Sequence, residues 1–94
     1  MSEKPREIKV NFPANLQAGV YANSMLVAHT REEFAMDFSF ITPPAGTVVS
    51  RIITSPGHIK RIISALQDNV KKYEIKFGTI MHAEEPKGNI GFNA

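Results

Sequence analysis

Residues 18–44 read AGVYANSMLVAHTREEFAMDFSFITPP, and this stretch decides the fold class. Across Phe34, Met36, Phe38 and Phe40 every second residue is large and apolar, the period of a half-buried strand. Upstream, a second strand fits Gly19 to His29, joined to the first through Thr30-Arg31-Glu32, short enough for an antiparallel hairpin. Downstream, Pro43-Pro44-Ala45-Gly46 punctuates the chain, and Thr47 to Thr54 (TVVSRIIT) is dense in β-branched residues. Working back toward the start, Glu7 to Phe12 (EIKVNF) alternates polar and apolar and predicts a short strand at a charged edge.

The segment after the strands reads as one long helix. Ser55 is a natural N-cap and Pro56 suits the first helical position, where its missing N–H costs nothing. Ile59, Ile62, Ile63, Leu66, Val70, Tyr73 and Phe77 then follow at spacings of three and four, with Gly78 as the stop. Lys60, Gln67, Lys71 and Glu74 occupy the opposite face, and Asp68 to Lys72 is a favourable helix pair. The expected architecture is α+β, a four-stranded antiparallel meander with one long C-terminal helix packed on one face. A single ββββα domain would span residues 1–81, with 82–94 as a flexible tail.

Composition narrows the function classes. The 94 residues suit one small domain, 43% apolar and 21% charged, as in a folded globular chain. A net charge of +2 does not by itself imply a polyanion partner. The absence of cysteine removes disulfide scaffolds, thiolate metal sites and cysteine nucleophiles. No run approaches a membrane span and the N-terminus lacks an apolar signal core, so a cytoplasmic protein with no membrane partner is expected.

The faces of the sheet point to an interaction surface. A symmetric register about Pro43-Pro44-Ala45-Gly46 sets Phe40 opposite Val48, Phe38 opposite Ser50, Met36 opposite Ile52 and Asp37 opposite Arg51. One face then carries the phenylalanines with Met36, Val48, Ile52, Val20, Ala22 and Leu26, and seats the helix. The other carries Tyr21, Met25, Val27, Ala35, Ile41, Val49 and Ile53, crossed by Asn23, Asp37 and Arg51. One helix cannot cover both faces, so an apolar second face marks a contact with another copy or an unidentified protein. At its centre, Asp37 and Arg51 form a desolvated pair that fixes register, remain an ordinary exposed ion pair, or, as the least favoured alternative, present a catalytic or ligand-binding carboxylate.

These residues also carry a resemblance. Tyr21-Ala22-Asn23, Glu33-Phe34 with Asp37-Phe38, Ser50-Arg51-Ile52, Ser55-Pro56 with His58, and Leu66-Gln67 with Asn69 resemble a short prokaryotic family catalogued as a domain of unknown function. The likeness covers residues 19 to 78 and implies no activity. In topology alone, four strands and a helix are similar to Whirly and positive-cofactor-four domains, which bind single-stranded DNA, and to the export chaperone SecB. That analogy makes Lys60, Arg61, Lys71, Lys72 and Lys76 the nucleic-acid contacts of an alternative reading, with Tyr21 and Phe92 as stacking platforms.

Catalytic chemistry finds little support. His29, His58 and His82 fall on a strand end, a helix start and a tail, with no ligand spacing between them. His58 beside Gly57 could present first-turn N–H groups to an anion or simply sit in a cap. Ser24, Ser50 and Ser55 lack a nucleophile-elbow context, and no phosphate or dinucleotide loop is present. The sequence therefore predicts no enzyme, no metal and no cofactor, but a self-associating interaction module.

Overall fold

A computed structural model describes residues 5–84 of the chain. Three antiparallel strands form one sheet: β1 (Ser24–His29), β2 (Phe34–Thr42) and β3 (Ala45–Thr54), in the order β1-β2-β3. A single helix, α1 (Pro56–Phe77), follows directly. The architecture is α+β with one C-terminal helix, and the sheet has three strands where the sequence predicts four.

The missing strand is Glu7 to Phe12. Its alternation is intact, but no backbone group of the segment joins a ladder among the described residues. Ile8 and Val10 are 82% and 86% exposed. A period of two only makes a chain competent for pairing; a strand exists when a neighbour supplies its hydrogen bonds. Here Pro13, a 3₁₀ turn at Ala14–Leu16 and Gly19 at φ 71° route the chain away without forming a ladder. The expected strand from Gly19 accordingly begins only at Ser24.

The β1–β2 hairpin corrects the expected faces. Thr30 N–H donates to Glu33 O at 2.9 Å, and the Thr30 hydroxyl accepts from the N–H groups of Glu32 and Glu33. The tip is thus Arg31-Glu32, one residue shorter than the predicted connection, and His29 stands opposite Phe34. That single residue inverts β1 relative to β2, because side chains alternate with period two. Met25 and Val27 pair with Phe38 and Met36, on the face predicted to seat the helix. Leu26 stands opposite Asp37 instead.

In the β2–β3 hairpin the pairs Asp37–Arg51, Met36–Ile52 and Phe38–Ser50 hold as expected. Beyond Phe38 the register shifts: Ser39 meets Val48 and Phe40 meets Thr47, leaving Val49 as the extra residue of a bulge. Phe40 therefore does not face Val48, which moves to the Asp37 side. The tip is Pro43-Pro44, joined by a cis peptide bond, and it sets Ile41 against Gly46. A Cβ at Gly46 would lie 2.8 Å from Ile41 Cγ1, so this close approach requires glycine.

Helix α1 matches its predicted bounds. Ser55 Oγ accepts from His58 N–H at 3.1 Å, Pro56 begins the first turn, and Gly78 ends the helix at φ 97°. Asp68 and Lys72 pair at 3.1 Å. The apolar stripe, however, is not packed away as expected: Ile59 and Ile62 are half-buried, while Ile63, Leu66, Val70, Tyr73 and Phe77 are exposed. Among the described residues Met36, at 8% exposure, is the one buried hydrophobic side chain.

Candidate interaction surface

Of the predicted polar seam, Asp37 and Arg51 are tied to each other, whereas Asn23 is tied to the Ile41 backbone. Because Asp37 and Arg51 are direct cross-strand partners, their side chains leave the sheet on the same face. Arg51 Nε donates to Asp37 Oδ1 at 2.6 Å and Nη2 donates to Oδ2 at 2.9 Å, a two-pronged match of guanidinium to carboxylate. The partners are unequal: the Asp37 side chain is 12% exposed and that of Arg51 65%. The hydrogen bonds from Arg51, reinforced by its charge and opposed by burial, hold the Asp37 carboxyl below its ordinary pKa. The same bonds raise the Arg51 pKa.

A depressed carboxylate contributes stability that is complete above the unfolded value, about pH 4, and is lost as pH falls through the lower folded value. The melting temperature of the unaltered chain should therefore fall in acid more steeply than that of Asp37→Asn. Their difference should narrow below about pH 4 in parallel melts.

Asn23 plays a different role from the one its place in the pattern predicts. Its side-chain Nδ2 donates to Ile41 O at 2.8 Å, and its Oδ1 accepts from Ile41 N–H, also at 2.8 Å. The amide thus imitates a strand residue and extends the ladder one step beyond β1, with Asn23 N–H donating to Ser39 O. Tyr21 turns toward Phe40 in an edge-to-face contact with centroids 5.7 Å apart, and so toward the phenylalanine face. Past the helix, Ala83 and Glu84 come back to this end of the sheet. They line an open depression of about 730 Å³ with Tyr21, Asn23, Ile41 and Pro43. The last ten residues of the predicted tail lie outside the described residues.

The predicted interface residues therefore divide. Ala35, Asp37, Ile41, Arg51 and Ile53 share one face, and the register adds Leu26 and Val48 to them. Met25, Val27 and Tyr21 belong with the other face, and Val49 sits at the bulge. Both faces carry half-exposed aliphatics, among them Leu26 and Ile53 on one side and Met25, Val27 and Ile52 on the other. The sequence reading missed Ser39, which is 2% exposed and whose hydroxyl has no hydrogen-bond partner among the described residues. Its signal is weak: a lone serine in an alternating strand looks solvent-facing until its neighbours close over it.

Lys60, Arg61, Lys71, Lys72 and Lys76 are all exposed on α1. At 100° per residue they fall within an arc of about 160°, on the side of the helix away from the apolar stripe. Lys72 is paired with Asp68, and Lys76 lies over the Phe77 ring at 5.2 Å. Among the described residues no cluster of histidine, aspartate and glutamate could hold a metal ion, and no helix is long and apolar enough to cross a membrane.

Over residues 1–82 the chain matches the family described as Protein of unknown function (DUF3467), and it belongs to that family. No curated protein and no solved structure matches it.

Proposed function

Starting from that family membership, we propose that the protein is a non-enzymatic, homo-oligomeric interaction module whose fold is completed by a second copy. The observation that supports this reading is the size of the core. Met36 is the only buried hydrophobic residue described, while the helix stripe and both sheet faces keep large aliphatics in water. Ordering a residue costs roughly 1–2 kcal/mol of backbone entropy, which a single buried methionine cannot offset over three strands and a helix. The accessible surface, 9196 Å², compares with about 5,400 Å² expected for a compact protein of 10.4 kDa. The excess of about 3,800 Å² per chain is more than the roughly 1,000–2,500 Å² per partner that obligate dimers bury, so a second copy would cover part of it.

In this reading the α1 stripe, with Leu66 and Val70 at its centre, and the aliphatics flanking Asp37 and Arg51 are the surfaces that associate. The ion pair would then fix register across the contact more than supply stability. Sedimentation equilibrium at micromolar concentration tests the proposal: a mass above one chain is expected, with unfolding midpoints that rise with protein concentration. A folded monomer across that range would overturn it.

A further inference from the structure

The segment Glu7–Phe12 and the outer edge of β1 are each half of a strand pair. The segment alternates Ile8, Val10 and Phe12 with Glu7, Lys9 and Asn11, and its backbone joins no ladder among the described residues, with Phe12 O accepting from Gln17 Nε2 at 3.4 Å. Strand β1 is an edge of the sheet and is six residues long, the length of the segment. Edges that stay free in solution are usually guarded by charge, proline or a bulge. The opposite edge, β3, has such guards in the bulge at Val49 and in Arg51. In β1, SMLVAH, there is no Lys, Arg, Asp or Glu, no proline and no bulge.

Pairing within the same chain does not occur among the described residues. The 3₁₀ turn at Ala14–Leu16 and the left-handed Gly19 lie between the two elements, and the Asn23 amide already closes the adjoining ladder on Ile41. We infer that Glu7–Phe12 of one copy adds as a fourth strand to the outer edge of β1 in a second copy, and reciprocally. This rests on the homo-oligomer reading and specifies its geometry: the strand predicted from the sequence is supplied between chains. Main-chain hydrogen bonds supply the attraction, and the alternating side chains place Ile8, Val10 and Phe12 together on one face of the enlarged sheet.

Val10→Pro tests the inference, because proline removes a backbone donor and Val10→Thr keeps it along with the β-branch. Val10 lies outside the sheet and helix, so the variant's own fold is checked by amide protection in β2. In sedimentation equilibrium Val10→Pro should raise the dissociation constant at least tenfold, with Val10→Thr close to the unaltered chain. Hydrogen exchange should show alternate β1 amides protected in the assembled protein and released in Val10→Pro, while β2 stays protected. An unaltered chain that assembles, with Val10→Pro assembling as tightly and β1 amides unchanged, would sink the strand exchange and leave the oligomer reading standing. A monomeric unaltered chain would remove both. Protection of β1 that survives dilution to monomer would place the strand within its own chain and also overturn the exchange.

Discussion

Strand β2 and the segment Glu7–Phe12 share one pattern and have opposite fates. Both alternate apolar with polar side chains, yet β2 buries Met36, Asp37 and Ser39 while Ile8 and Val10 stand almost fully in water. The difference is the number of neighbours: β2 is hydrogen-bonded on both sides, by β1 and β3, and the segment on neither. Periodicity thus records a preference for lying on a sheet, and pairing decides whether the sheet is there.

The sharpest way to break the comparison is to empty the one position where it has produced a core. Met36→Ala should cost roughly 2–5 kcal/mol in urea unfolding at fixed protein concentration. The matching truncation Val10→Ala should leave the isolated sheet unchanged, since its side chain touches no core. An equal cost for both would mean that the segment is already part of the folded unit.

A smaller effect is expected at the end of the sheet, where the chain enters β1. Asn23→Ala removes both hydrogen bonds to the Ile41 backbone, at a cost of about 1–2 kcal/mol. Exchange of the Ile41 amide should quicken far more than that of Met36. Uniform quickening would show that Asn23 supports the whole sheet and not its end.

The smallest effect concerns an element that needs no neighbour for its boundary. Ser55→Ala removes the oxygen that accepts from His58 N–H and should lower stability by about 1 kcal/mol. The loss should be the same at low and high protein concentration. A concentration-dependent loss would tie the cap to the association surface.

Legibility in the sequence followed the range of the forces involved. Helix α1 was readable to the residue, because Ser55, Pro56 and Gly78 act through their own backbone neighbours. The Asp37–Arg51 pair agrees with the predicted register through two offsetting one-residue differences: the tip is Pro43-Pro44 and not the four-residue Pro43-Pro44-Ala45-Gly46, and the Val49 bulge between tip and pair restores the pairing. The faces of β1 were not readable, since they turn on whether Thr30 is inside or outside the hairpin tip. Threonine at the first position of a tight turn, able to accept from the N–H two residues on, was the available signal.

The sequence by itself determined the α+β class, the helix and its caps and the two hairpins, all of which rest on local backbone preferences or short loops. Tertiary structure decided the rest: three strands in the chain, Leu26 and not Met25 beside Asp37, the bulge at Val49, and a sheet and helix stripe left open. The physical reason is that hydrogen-bond ladders and buried faces need partners, and no local pattern specifies which partner arrives or from which chain.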